Sequence, residues 1–68
     1  MVKSYSDPIE ALSMAIRREK EAQEFYLRVA EAAESDSTKA LFKELAEEEA
    51  KHEQRLQDEY DREAMREM

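Results

Sequence analysis

A single short cluster of turn-forming residues, Ser35-Asp36-Ser37-Thr38, divides the chain into two long stretches of helix-type sequence. Glycine is absent, proline occurs once, and strong helix formers dominate the 68 residues. Strand-rich folds need glycine and proline at their many turns, so this composition excludes them. The sequence therefore predicts an all-α chain of two helices joined by one tight turn.

The ends of both helices carry capping signals. Asp7 is placed to accept hydrogen bonds from the free N–H groups of the first helical turn, and Pro8 suits the first helical position. Asp36 or Ser37 is expected to cap the second helix. We expect a single domain over residues 1–68, with a first helix over about 7–34, a turn at 35–38 and a second helix over about 38–64.

Apolar side chains recur every three or four residues in both stretches, which is the spacing of one buried helix face. The first stripe contains Ile9, Leu12, Ile16, Tyr26, Val29, Ala30 and Ala33, and the second contains Leu41, Phe42, Leu45, Ala46, Leu56 and Tyr60. A short turn between such helices predicts an antiparallel hairpin. Because a lone hairpin of this size has a marginal core, we expect two copies to pair into a four-helix bundle, as a homodimer or a higher assembly of dimers.

Three polar residues occupy stripe positions where the spacing calls for apolar side chains. Glu19 falls on the first stripe, and Glu49 and His52 fall between Leu45 and Leu56 on the second. At about 1.5 Å of rise per residue, the three lie level within one helical turn, so we expect them to meet in the core. A buried carboxylate needs a partner or becomes neutral, and a bound cation would supply that partner. A two-fold axis would assemble four carboxylates and two imidazoles, the ligand set of di-iron and di-manganese carboxylate bundles.

Other interpretations remain open at this point. Glu-x-x-His spacing alone is weak in a chain with 18 acidic residues, and a metal-free helical dimerisation or adaptor module would explain the stripes equally well. A bundle that binds Zn²⁺ or Mn²⁺ without redox turnover would use the same ligands. Around the site, we expect Tyr26 to donate a hydrogen bond to a ligand carboxylate and Glu48 to be solvated or to support a ligand from behind.

Two motifs carry a family resemblance: Glu19-x-x-Ala22-x-x-Phe25-Tyr26 and, after the turn, Leu41-Phe42-x-x-Leu45-Ala46-x-Glu48-Glu49-x-x-His52. This pattern resembles the first helix pair of rubrerythrin-like members of the ferritin superfamily and covers about residues 9–60. Since only one helix pair is present, the chain is most similar to half-sized encapsulated ferritins. In those proteins, paired hairpins build a ferritin-like bundle with a ferroxidase centre at the dimer interface.

The resemblance implies roles for individual residues. Glu19, Glu49 and His52 would be iron ligands and catalytic residues, with Glu49 bridging and two iron ions bound per dimer. The implied activity is oxidation of Fe²⁺ to Fe³⁺ by O₂ or peroxide, in iron handling or detoxification. Of two acids that flank the ligand in the encapsulated relatives and admit iron, Glu21 is kept and Arg18 replaces the other.

Composition excludes several function classes. With no cysteine, the chain has no thiolate metal site and no cysteine-rich electron-donor module, which favours iron oxidation over peroxide scavenging. A net charge of −7 repels nucleic acids and anionic membranes and attracts cations. No apolar run approaches the ~20 residues of a membrane span. We expect a cytoplasmic protein, and location within a protein compartment remains open. Residues 62–68 do not resemble the apolar cargo peptide of shell-enclosed relatives, so they do not support a shell protein as a partner.

Overall fold

A computed structural model describes residues 7–66 and shows two helices, α1 (Pro8–Ala32) and α2 (Asp36–Arg66). The short connection reverses the chain, so that α2 lies antiparallel against α1, with Tyr26 of one helix beside Phe42 of the other. The Cα atoms extend over 49 × 26 × 12 Å, the dimensions of a single layer of two helices. The predicted all-α antiparallel hairpin is confirmed. Neither helix within the described residues combines the length and hydrophobicity needed to cross a membrane.

The start of α1 is fixed by Asp7. Its backbone is extended, with φ −83° and ψ 106°, and its Oδ1 accepts from the N–H groups of Ile9 at 3.1 Å and Glu10 at 3.4 Å. Pro8 follows at the first helical position, where its missing N–H costs no hydrogen bond. Asp7 therefore caps α1 as the sequence predicts.

The end of α1 uses a lysine where many helices use glycine. Ala33 leaves the helix in an extended conformation, and no residue within 7–66 has a positive φ. Lys39 reaches back from α2, and its Nζ donates to the backbone oxygens of Ala30 at 3.0 Å and Glu31 at 3.3 Å. These carbonyls have no partner inside α1, so the ammonium group satisfies the helix end and favours its dipole.

The cap of α2 differs from the prediction by one residue. Ser35 Oγ accepts from the N–H of Thr38 at 3.1 Å, and Ser37 Oγ lies 3.0 Å from the same oxygen. Neither Asp36 nor Ser37 caps the helix, because α2 already begins at Asp36 and the capping position therefore falls on Ser35. Asp36 instead places its acidic side chain in the first turn, where it favours the helix dipole.

The line along which the helices meet is called the seam here. Its residues recur every three or four positions and are all buried or half-buried: Ile9, Leu12, Ile16, Glu19, Gln23, Tyr26 and Ala30 on α1, Ala33 directly after α1, and Lys39, Phe42, Ala46, Glu49, Glu53, Leu56, Tyr60 and Glu63 on α2. Only the two alanines Ala30 and Ala46 count as buried among the described residues, at 2% and 5% exposure.

Much of the apolar surface stays in contact with water. Phe25, Leu27 and Leu41 are 54%, 53% and 50% exposed. We expected Leu41 on the buried second stripe, but it turns away from the seam because Phe42 takes the seam position next to it. One hairpin thus leaves large side chains uncovered, although burying such surface is worth about 25 cal/mol per Å².

Candidate metal centre

The ligand atoms of Glu19, Glu49 and His52 lie within 4.8 Å of one another near the middle of the hairpin. His52 Nδ1 is 3.2 Å from Glu49 Oε1 and 3.9 Å from Glu19 Oε1. Glu19 comes from α1 and the other two residues come from α2, so the antiparallel pairing of the helices assembles the group. The three residues selected from the sequence are therefore brought together, and they are called the centre below.

The local cause of this geometry is helix periodicity. Glu49 and His52 are three residues apart on α2, a spacing that places two side chains on neighbouring positions of one helix surface. Glu19 is level with them because both helices are continuous and the turn between them is short. Carboxylate oxygens and an imidazole nitrogen together suit Fe²⁺, Mn²⁺ or Zn²⁺.

The two carboxyl groups of the centre shift each other's pKa in opposite directions. A hydrogen bond with Glu49 is the first cause that raises the pKa of Glu19 above its ordinary value, and burial raises it further. The pKa of Glu49 is lowered, first by the same hydrogen bond and then, against the effect of burial, by its bond to His52. Two like charges this close oppose each other's ionisation, so Glu49 loses its proton more readily than Glu19.

One atom of the centre lacks a partner. Glu19 Oε1 is shielded from water and accepts no hydrogen bond from any residue of the described chain. His52 Nδ1, at 3.9 Å, is too far away to donate to it. An unsatisfied buried oxygen is costly, and it lies beside a second carboxylate and an imidazole. The residues present therefore fit a bound cation, which would satisfy this oxygen.

His52 is less buried than the sequence suggested. Its side chain is 52% exposed, against 23% for Glu19 and 22% for Glu49. We expected His52 to face the core, but within the single hairpin Glu53 takes the seam position and His52 lies at the edge. The physical reason is that α2 is rotated so that the residue four, not three, after Glu49 points to α1.

An open groove of about 550 Å³ leads from the centre along α2. It is lined by Glu19, His52, Arg55, Leu56, Asp58, Glu59 and Arg62. Arg62 forms an ion pair with Glu59 one turn earlier on the same helix, which raises the pKa of the guanidinium. The groove leaves one side of the centre accessible in the single hairpin.

Three further residues were assigned to the surroundings of the centre, and none of them belongs to its group of converging ligand atoms. The ring of Tyr26 packs between Phe25 and Phe42, at centroid distances of 5.6 and 5.9 Å, and its hydroxyl makes no hydrogen bond to the centre within residues 7–66. Glu48 is exposed. Glu21 is also exposed, in a groove between Arg18 and Tyr60 that does not include the centre.

Sequence reasoning missed a polar pair beside the centre. Gln23 Nε2 donates to Glu53 Oε1 at 2.6 Å, and Lys20 Nζ lies 3.6 Å from Glu53 Oε2. The signal was present in the spacing, since Gln23 follows Glu19 by four residues and Glu53 follows Glu49 by four. Polar residues thus continue along both sides of the seam for one further turn.

A family model for rubrerythrin matches residues 10–67, which is most of the chain and includes the whole centre. The chain belongs to the rubrerythrin family. In the same comparisons, no curated protein and no solved structure matches it. Proteins of the rubrerythrin family typically bind iron at carboxylate-rich sites and are often oxidoreductases. Membership confirms the resemblance inferred from the two motifs, and the hairpin is half-sized in the sense that it has one helix pair.

Proposed function

We propose that the chain is a ferroxidase, which oxidises Fe²⁺ to Fe³⁺ at a di-iron site shared by two hairpins. The observation that carries the proposal is the unsatisfied Glu19 Oε1, which lies with Glu49 and His52 in a group of three metal-ligating side chains. Family membership supports iron as the metal. The net charge of −7 supports attraction of Fe²⁺ to the protein.

The need for a second hairpin follows from ligand number and from exposure. One chain offers two carboxylates and one imidazole, too few to hold two ions. Leu41 and Leu45 precede His52 by eleven and seven residues, so they lie on the same face of α2. Both Leu41 and His52 are about half exposed. We propose that a second copy covers this face and contributes the same three ligands.

Each residue of the centre has a defined task. Glu19 and Glu49 would hold the cations, and because carboxylates bind metal in their ionised form, metal binding competes with protonation of the pair. His52 releases its 3.2 Å bond to Glu49 and offers a ring nitrogen. The iron supplies the electrons: two Fe²⁺ ions give one each to O₂, which takes up two protons and becomes H₂O₂, or to H₂O₂, which takes up two protons and becomes two water molecules.

Anaerobic addition of Fe²⁺ to the metal-free protein, followed by air, tests the activity. The wild type should develop ferric absorbance at about one iron per chain, whereas Glu49→Ala should lose at least a hundredfold in initial rate, because its carboxylate binds the ion directly. Glu47→Ala is the matched control, since Glu47 is an exposed acid on the same helix. Full activity of Glu49→Ala, or binding of Zn²⁺ or Mn²⁺ without iron oxidation, would contradict the proposal.

Sedimentation equilibrium tests the shared site. The chain should sediment at twice its mass of 8.0 kDa or at a multiple of that value. Leu41→Glu should shift it to the monomer and abolish iron oxidation, whereas Leu41→Met should do neither. A fully active monomer would exclude the two-hairpin site.

A further inference from the structure

A third carboxylate lies beside the centre without belonging to it. Glu53 follows Glu49 by four residues, so the two side chains are neighbours about one turn apart on α2. The Glu53 side chain is only 25% exposed, and its charge contributes to the raised pKa of Glu19. Glu53 is nevertheless outside the group of ligand atoms that converge within 4.8 Å. It therefore acts on the centre through its charge.

Two side chains of α1 hold Glu53 in place. Gln23 Nε2 donates to its Oε1 at 2.6 Å, and Lys20 Nζ lies 3.6 Å from its Oε2. The amide is neutral and leaves the charge of Glu53 intact. The Lys20 side chain is 61% exposed, so water screens its positive charge more than that of the half-buried carboxylate. Gln23 and Lys20 thus hold the Glu53 carboxylate in a fixed position beside the centre.

The charge of the centre changes when iron is oxidised. In the proposed dimer, four carboxylates balance the four positive charges of two Fe²⁺ ions. After each ion loses one electron, two positive charges are left without a matching ligand charge. Each chain holds one Glu53 next to its centre, so two additional carboxylates stand where the new charge develops.

We propose that Glu53 is the counter-charge of the oxidised centre, which favours trivalent over divalent ions at Glu19, Glu49 and His52 without binding either ion. This inference rests on the proposed function and names a residue that tunes it. A unit charge at ~8 Å in a medium of effective dielectric ~20, partly screened by Lys20, changes the relative affinity for one extra unit of ion charge by about tenfold.

Two redox-inert ions separate this effect from catalysis. Zn²⁺ represents the divalent state and Ga³⁺, buffered by nitrilotriacetate, the trivalent state. Both affinities are measured at pH 7 on the full chain by competition calorimetry. Glu53→Gln keeps an acceptor for Gln23 and should weaken Ga³⁺ binding about tenfold more than Zn²⁺ binding. Glu47→Gln removes the same net charge from an exposed site and should leave the ratio unchanged.

A second variant tests the same effect in the opposite direction and gives a result even if Glu53→Gln does not fold. Lys20→Met removes the cation beside Glu53, so it should raise the preference for Ga³⁺ by a few fold. An unchanged ratio in both variants, or an equal loss of both ions in Glu53→Gln, would overturn the inference and leave the ferroxidase proposal standing. A wild type that binds neither ion at the centre would overturn both.

Discussion

The turn-proximal and central parts of the hairpin differ in the side chains that fill the seam between the two helices. Near the turn, Ala30 and Ala46 are buried, Tyr26 packs against Phe42, and Lys39 satisfies the end of α1. At the centre and the turn of helix beside it, the seam carries the carboxylates of Glu19, Glu49 and Glu53, the amide of Gln23 and one oxygen without a partner. The two parts lie next to each other on the same pair of helices.

The difference shows where stability and where chemistry are located. Apolar contacts and completed helix ends need no ligand, so the turn-proximal part favours the folded state by itself. The centre brings like charges together and leaves Glu19 Oε1 unsatisfied, which opposes folding until a cation binds. Substitutions in the two parts should therefore have separable effects on stability and on metal binding.

The largest effect is expected from His52→Ala. Removing one of three ligands per chain should weaken iron binding about a hundredfold while leaving the helical circular dichroism signal of the metal-free protein unchanged. His52 is at the edge of the seam and half exposed, so its truncation leaves no cavity. Loss of helix together with loss of binding would show that the two parts are not separable.

Phe42→Ala should lower stability and leave iron binding almost unchanged. Phe42 is half-buried in the seam against Tyr26, so its truncation should lower the free energy of unfolding by about 2 kcal/mol, less than for a fully buried ring. Chemical denaturation measures this change. At protein concentrations where the variant is folded, its iron affinity should stay within threefold of the wild type. A larger loss of iron affinity would show that Phe42 helps to hold the metal ligands in position.

Ser35→Ala tests the N-cap of α2, which we expected at Asp36 or Ser37 and which the structure places at Ser35. Losing the Ser35 Oγ bond to the N–H of Thr38 should destabilise the protein by about 1 kcal/mol. Ser37→Ala is the control, because Ser37 caps no backbone group. An equal loss in both variants would assign the effect to the pair of hydroxyls and not to the cap.

The smallest expected effect is an increase in the stability of the metal-free protein. Glu19→Gln removes one of the two repelling carboxyls, so the metal-free protein should melt a few degrees higher at neutral pH. The raised pKa of Glu19 means that its protonated form stabilises the fold in acid and that this contribution is lost as pH rises from about 4.5 through the raised pKa. The gain from Glu19→Gln should therefore grow with pH and vanish in acid. With saturating Zn²⁺, the wild type should melt higher instead.

The sequence predicts the hairpin and the convergence of Glu19, Glu49 and His52, because helix spacing and a single short turn fix both. It does not predict that Glu53, not His52, lies in the seam. Residues three and four after Glu49 both fit a helical stripe, and a rotation of α2 by part of a turn decides between them. The cap at Ser35 was missed for a related reason, since neighbouring serine and aspartate residues have similar capping preferences.

The presence of only two buried residues in the described chain, both alanines, links activity to abundance. If two copies complete each other's core and each other's iron site, the amount of active dimer rises with the square of the chain concentration at low expression. A cell that doubles synthesis of the chain would then gain up to fourfold in oxidising capacity. Such a response turns on steeply when the protein is induced and fades as growth dilutes it.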